Sequence, residues 1–206
     1  MTTDELKEKM FKFAYHEALN DATGQSAYRG KKSDIENNAG AEEKVKKYID
    51  SLFNPPNLCF YDTAKKVSDA INDVEFTFGN IQKLINMTAK YLYLGCYSDE
   101  KLRECFKNCH CPMDRVMIDK VFKEYKQAFV EKNKGNENLL TIPYGDGKKG
   151  KDKSKICWSK IKFADEDSPC SHKIYENYQE MVRAITNDMG IYPLELDYAL
   201  WESTKG

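Results

Sequence analysis

The sequence predicts an all-α fold: a single helical domain over residues 1–206, with about seven to nine helices around one buried helix. Three observations predict it. In residues 76–94 (FTFGNIQKLINMTAKYLYL), Phe78, Ile81, Leu84, Ile85, Thr88 and Leu92 recur at spacings of three and four, the stripe of a helix rather than the alternation of a strand. Met87, Tyr91 and Leu94 widen that stripe. The remaining apolar segments are bracketed by helix start and stop signals. Finally, 206 residues with 41% hydrophobic and 12% aromatic side chains suffice for one sizeable core and oppose disorder.

The first helix is expected to begin at Thr2 or Thr3, because Thr2 with Glu5 forms a capping-box pattern. Leu6, Met10, Phe13, Ala14 and Ala18 form its expected inner face, and Gly24 its stop. Residues 24–40 are rich in glycine, serine and asparagine and read as a long polar loop. A second helix is expected at 41–53, closed by Asn54-Pro55-Pro56, since proline lacks the amide and restricts its predecessor. A third follows over 58–73, then the central helix, ending at Gly95. Ser98-Asp99-Glu100 opens a short helix to about residue 108, and Pro112 is expected to open another to about 132. Residues 133–156 form a second long polar loop, with a short extended segment at 139–144. Ser168-Pro169 predicts a helix running to Met189, and Pro193 a last short one.

Charge and motif patterns limit the function classes. Net charge is −1, so there is no global nucleic-acid signature and any basic surface is local. Seven cysteines and an acidic, amphipathic N-terminus point to reduced thiols and a cytoplasmic protein. The longest apolar run is broken by Lys and Asn, so no membrane crossing is expected. Serine-hydrolase, zinc-protease, dinucleotide-binding and kinase patterns are all missing. No cofactor is called for.

Four features carry chemistry. Gln82, Asn86 and Lys90 follow at i, i+4 and i+8 and, with Lys83, draw a polar line along the central helix. That line is either a solvated edge or the lining of a ligand cleft, where lysine supplies charge and the amides directional hydrogen bonds. Second, Lys148, Lys149 and Lys151 lie in a glycine-rich loop (145–155) near Trp158, a cationic strip beside an aromatic, as in single-strand nucleic-acid binding. Third, Cys105, Cys109 and Cys111, with Cys170 and His172, are weak zinc candidates, because their spacing is not that of paired CxxC motifs. Core thiols are the plainer reading, and no metal is assigned.

The fourth is Arg103 and His110, seven apart. On a continuous helix that is two turns, so both would share a face. The pair resembles the Arg-x(4–6)-His motif of HEPN-domain ribonucleases, small all-α proteins that are usually dimeric. The resemblance covers eight residues and implies a metal-independent ribonuclease in which Arg103 holds the scissile phosphate and His110 moves a proton. Glu104 departs from the Asn, Asp or His frequent after that arginine. The leading expectation is a binding protein for nucleic acid or another phosphate-bearing ligand. The alternatives are that ribonuclease and a protein-interaction module with a protein partner.

Overall fold

A computed structural model describes residues 2–24, 26–73, 75–130, 157–164 and 171–201. It is all-α, and among the described residues there is no strand beyond one isolated bridge between Lys162 and Ser171. The helices are α1 (Thr3–Gly24), α2 (Lys32–Glu36), α3 (Ala39–Phe53), α4 (Phe60–Ile71), α5 (Phe78–Gly95), α6 (Glu100–Glu104), α7 (Arg115–Tyr125), α8 (Lys173–Met189) and α9 (Leu196–Trp201). A π-turn, Lys126–Val130, extends α7. Single 3₁₀ turns lie at Trp158–Lys160 and Pro193–Glu195.

The expected central helix is α5, and every residue from Phe78 to Lys90 is buried. α1 packs along it, α3 packs on α4, and α7 packs on α8. Thr2 and Glu5 close the expected capping box at the start of α1, at 3.2 Å and 2.7 Å. Asn72 in the left-handed region ends α4, and Gly190 in the same region ends α8.

Several expected boundaries move, each for a local reason. The polar stretch 24–40 contains α2, pinned by the buried Ile35, and α3 already begins at Ala39 because Asn38 Oδ1 accepts the Ala41 amide at 2.9 Å. Asp99 rather than Ser98 caps α6, through bonds to the amides of Lys101 and Leu102. Pro112 does not open α7. Asp114 is its N-cap, accepting the Met117 amide at 2.9 Å, and the helix starts at Arg115. α8 begins at Lys173, five residues beyond Ser168. The loop 133–156, with its segment 139–144, lies outside the described residues.

The largest revision concerns α1. Its buried side is Phe11, Ala14, Tyr15, Ala18, Leu19 and Ala22, whereas Leu6, Met10 and Phe13 face outward. Alanines on the inner face let α1 lie close against α5. No described helix is long and apolar enough to cross a membrane.

Candidate functional site

The start of α5 gathers segments far apart in sequence. Thr77 precedes the helix, and its backbone amide donates to Asn80 Oδ1 at 3.3 Å. Asn80 Nδ2 donates to the Ala22 carbonyl at 2.6 Å, tying in the end of α1. The turn Trp158–Lys160 is laid directly on this first turn. Gly79 donates its amide to the Ile161 carbonyl at 3.0 Å, and Thr77 Oγ1 donates to the Ser159 carbonyl at 2.8 Å. Only glycine allows that approach, because a Cβ at position 79 would stand 1.8 Å from the Trp158 carbonyl oxygen. Ser159 Oγ in turn accepts the Ala27 amide at 2.8 Å.

Beside this junction lies a cleft of about 680 Å³. Lys83 of α5 stands over the Trp158 ring, 4.7 Å from its centroid, and is 3.5 Å from Asp114 Oδ2. Arg29, Arg115 and Lys160 line the same cleft. The guanidinium of Arg29 is held by its own loop, donating to the carbonyls of Ser26 and Tyr28 at 2.9 Å. Two carboxylates, Asp114 and Asp119, also line the cleft, so four cationic side chains face two acids. Asp114 is already engaged by Lys83 and by the α7 amide it caps. Lys83 and Asp114 also line a second, larger cleft of about 980 Å³ that reaches Lys90 and Lys120.

The polar line on α5 is no solvated edge. Gln82 and Asn86 are 0% and 1% exposed. Gln82 clamps the backbone of Met113, donating from Nε2 to its carbonyl at 2.8 Å and accepting its amide at 3.1 Å. That clamp positions the segment leading into Asp114 and Arg115. Asn86 Nδ2 donates to the Tyr175 hydroxyl at 2.7 Å, and that hydroxyl also shares a hydrogen bond with His110 Nδ1 at 3.0 Å. Lys90 is buried against Asp197 and lies over the Tyr198 ring at 4.5 Å. Lys83 is thus the member of the line that reaches the charged cleft, with Trp158 5% exposed beneath it. The cleft offers charge rather than an open aromatic face. Lys148, Lys149 and Lys151 lie outside the described residues.

The Arg103–His110 pair does not share a helix. α6 ends at Glu104, so the two-turn spacing brings no common face. Arg103 is committed to Glu195 at 2.7 Å and to the Tyr93 hydroxyl at 3.1 Å. His110 points inward against the Phe60 ring, at a centroid distance of 4.4 Å. Burial, aided by the charge of Arg183, holds its imidazole down at about 3, so the ring is neutral.

The sulfur candidates also turn inward. Cys109 and Cys111 are buried, and burial pushes both thiols up to about 12, far from the thiolate that zinc binding or nucleophilic attack needs. Cys105 lies on the short helix end, with Sγ donating to the Lys101 carbonyl at 3.5 Å. His172 packs among Tyr61, Phe78 and Phe163, while Cys170 lies outside the described residues. Among the described residues no group of three or more His, Cys, Asp or Glu is placed to hold a metal.

Sequence reasoning missed Arg29, Arg115 and Lys160 as partners of Lys83. The one signal for Arg115 lay in its neighbour, since an Asp that caps a helix places the next residue at the exposed first turn, but Pro112 offered an equal opening. These features define a helical protein with a charged cleft beside the head of its central helix. No protein family model, curated protein or solved structure matches the chain.

Proposed function

We propose that this chain is a binding protein for a phosphate-bearing ligand, nucleic acid being the leading form, and that the cleft beside Lys83 receives it. One observation carries the reading: Arg29, Arg115 and Lys160 converge with Lys83 on a single cleft in a chain whose net charge is only −1. Guanidinium groups match phosphate oxygens in a bidentate fashion, and lysines add point charge. The largely covered Trp158 supports phosphate contacts over base stacking. The six described cysteines are free thiols, in keeping with a reducing, cytoplasmic setting.

The test is fluorescence anisotropy with labelled single-stranded RNA, competed by ATP or inorganic phosphate, in chelator. With Lys83 paired to Asp114, phosphate contacts by Arg29, Arg115 and Lys160 predict affinity falling with a log–log salt slope of roughly −2. Arg115→Glu with Lys160→Glu should weaken binding at least about tenfold. Displacement by ATP would mark a small phosphate ligand as the occupant, and resistance to ATP a polymer. Binding that is absent at low salt, or indifferent to both reversals, sinks the proposal. Cleavage of RNA that persists in chelator and disappears in His110→Ala would replace it with the ribonuclease reading.

A further inference from the structure

The two clefts that meet at Lys83 share a wall and differ in chemistry. Lys83, Asp114 and Val116 line both, so the cleft of about 680 Å³ adjoins the one of about 980 Å³ across the Lys83–Asp114 pair. Arg29, Arg115 and Lys160 line the first and not the second. The charges of the second are answered within the chain. Lys90 is paired with Asp197, the Tyr91 hydroxyl donates to Asp21 Oδ2 at 2.6 Å, and Lys120 Nζ donates to the Leu200 carbonyl. Its three lysines, Lys83, Lys90 and Lys120, balance its three aspartates, Asp21, Asp114 and Asp197.

Much of the rest of the second cleft is apolar. Leu94 and Val116 are 50% and 54% exposed in its lining, while Met87 and Met117 are buried in it. Thioethers adapt to flat or irregular partners. The Tyr198 ring belongs to the same wall, and its hydroxyl, shut off from solvent, has no hydrogen-bond partner among the described residues. A buried hydroxyl left unpaired is costly, and a polar ligand edge that reached it would relieve the cost.

A cationic chamber beside a neutral, partly apolar one suits a ligand of two parts: a phosphate and an uncharged body. The first cleft has no open face for that body, because Trp158 is 5% exposed. An acyl chain in the second would strip water from charged groups and offer nothing in return, whereas the polar edge of a heteroaromatic base can hydrogen-bond them. Lys83 and Met87 are one turn apart on α5, roughly 6 Å along its axis, a span that a sugar bridges between its phosphate and its base.

We propose that the second cleft is a base site: one nucleotide lays its phosphate in the first cleft and its base against Met87, Leu94, Val116 and Tyr198. This rests on the phosphate-binding reading and narrows the ligand to an unpaired nucleotide. In a duplex the bases are paired and stacked inward, so only a single strand or a free nucleotide can place one there.

Fluorescence anisotropy with the full chain tests this, comparing a labelled single-stranded RNA with an abasic strand of equal length and with the duplex, at about 100 mM salt. Identical phosphates should give the two single strands the same salt slope. The base-bearing strand should bind at least about tenfold tighter than the abasic strand or the duplex. Where ATP displaces the strand, tripolyphosphate should be needed at about tenfold higher concentration. Leu94→Asn/Val116→Asn should cut the ratio of the two single-strand affinities at least about threefold. Both side chains are at least half exposed, so the variant should keep its helical circular dichroism. Equal affinities for base-bearing and abasic strands, both still weakened by Arg115→Glu/Lys160→Glu, overturn the base site and leave the phosphate reading standing. A duplex that binds as tightly as the single strand, or a ratio untouched by Leu94→Asn/Val116→Asn, overturns it too. If no strand binds, the phosphate reading fails and the base site with it.

Discussion

Gly79→Ala is the smallest change that tests how the cleft is built. The added Cβ would lie 1.8 Å from the Trp158 carbonyl oxygen and 2.8 Å from its carbon. Ordinary contact needs about 3.4 Å, and both atoms are backbone, so no rotamer change relieves the clash. The Trp158–Lys160 turn must retreat by roughly 1.5 Å, which breaks the Gly79–Ile161 and Thr77–Ser159 bonds. Each is worth about 1 kcal/mol, and partial exposure of Trp158 adds about 1–2 kcal/mol. Alanine's helix preference opposes this by at most about 1 kcal/mol. The net cost is therefore about 2–3 kcal/mol, which for a chain of this length lowers Tm by roughly 5–10 °C. Thermal unfolding followed at 222 nm measures the shift, and near-ultraviolet dichroism reports on the packed Trp158. A variant within about 1 °C of wild type, with unchanged near-ultraviolet signal, would refute the close-approach argument.

Two further outcomes follow from buried charge. The His110 imidazole is held near 3, well below its usual range, so the unfolded chain binds a proton there first as pH falls. Its contribution is fully present above about pH 6.5 and declines from there toward pH 3. Wild type should therefore lose up to about 1.4 kcal/mol per pH unit more than His110→Gln between pH 6 and 4, as read by urea denaturation; parallel curves would contradict it. Lys90→Met strands the Asp197 carboxylate, itself 8% exposed, and should cost about 3 kcal/mol by the same assay. Adding Asp197→Leu should recover most of that loss.

The central helix was legible because its apolar spacing is strong and its ends carry ordinary signals. The inner face of α1 was legible only at Ala14 and Ala18. Its sequence holds two overlapping apolar stripes, and the one through Leu6, Met10 and Phe13 is exposed while the one through Phe11, Tyr15 and Leu19 is buried. Spacing of three and four fits either stripe, and only packing against α5 chooses between them. The polar line on α5 was visible as a pattern, but its purpose was not, since the partners of Gln82 and Asn86 are Met113 and Tyr175, 31 and 89 residues away. Chain punctuation likewise could not separate Pro112 from Asp114 as the opening of α7, because both are favourable near a helix start. The cleft was half visible: Lys83 and Trp158 came from the sequence, and Arg29, Arg115 and Lys160 only from the packing that assembles them.

The glycine contact at the head of α5 also orders events in time. The wall of the cleft is a turn near residue 158, yet it rests on residues 77–79 and holds Ala27 across 132 positions. A nascent chain can form α1 and α5 against each other well before that turn leaves the ribosome. It cannot form the cleft. On the phosphate-binding proposal, ligand competence arrives late, in one step with closure of the fold, and any fragment ending before residue 157 should be helical yet blind to phosphate.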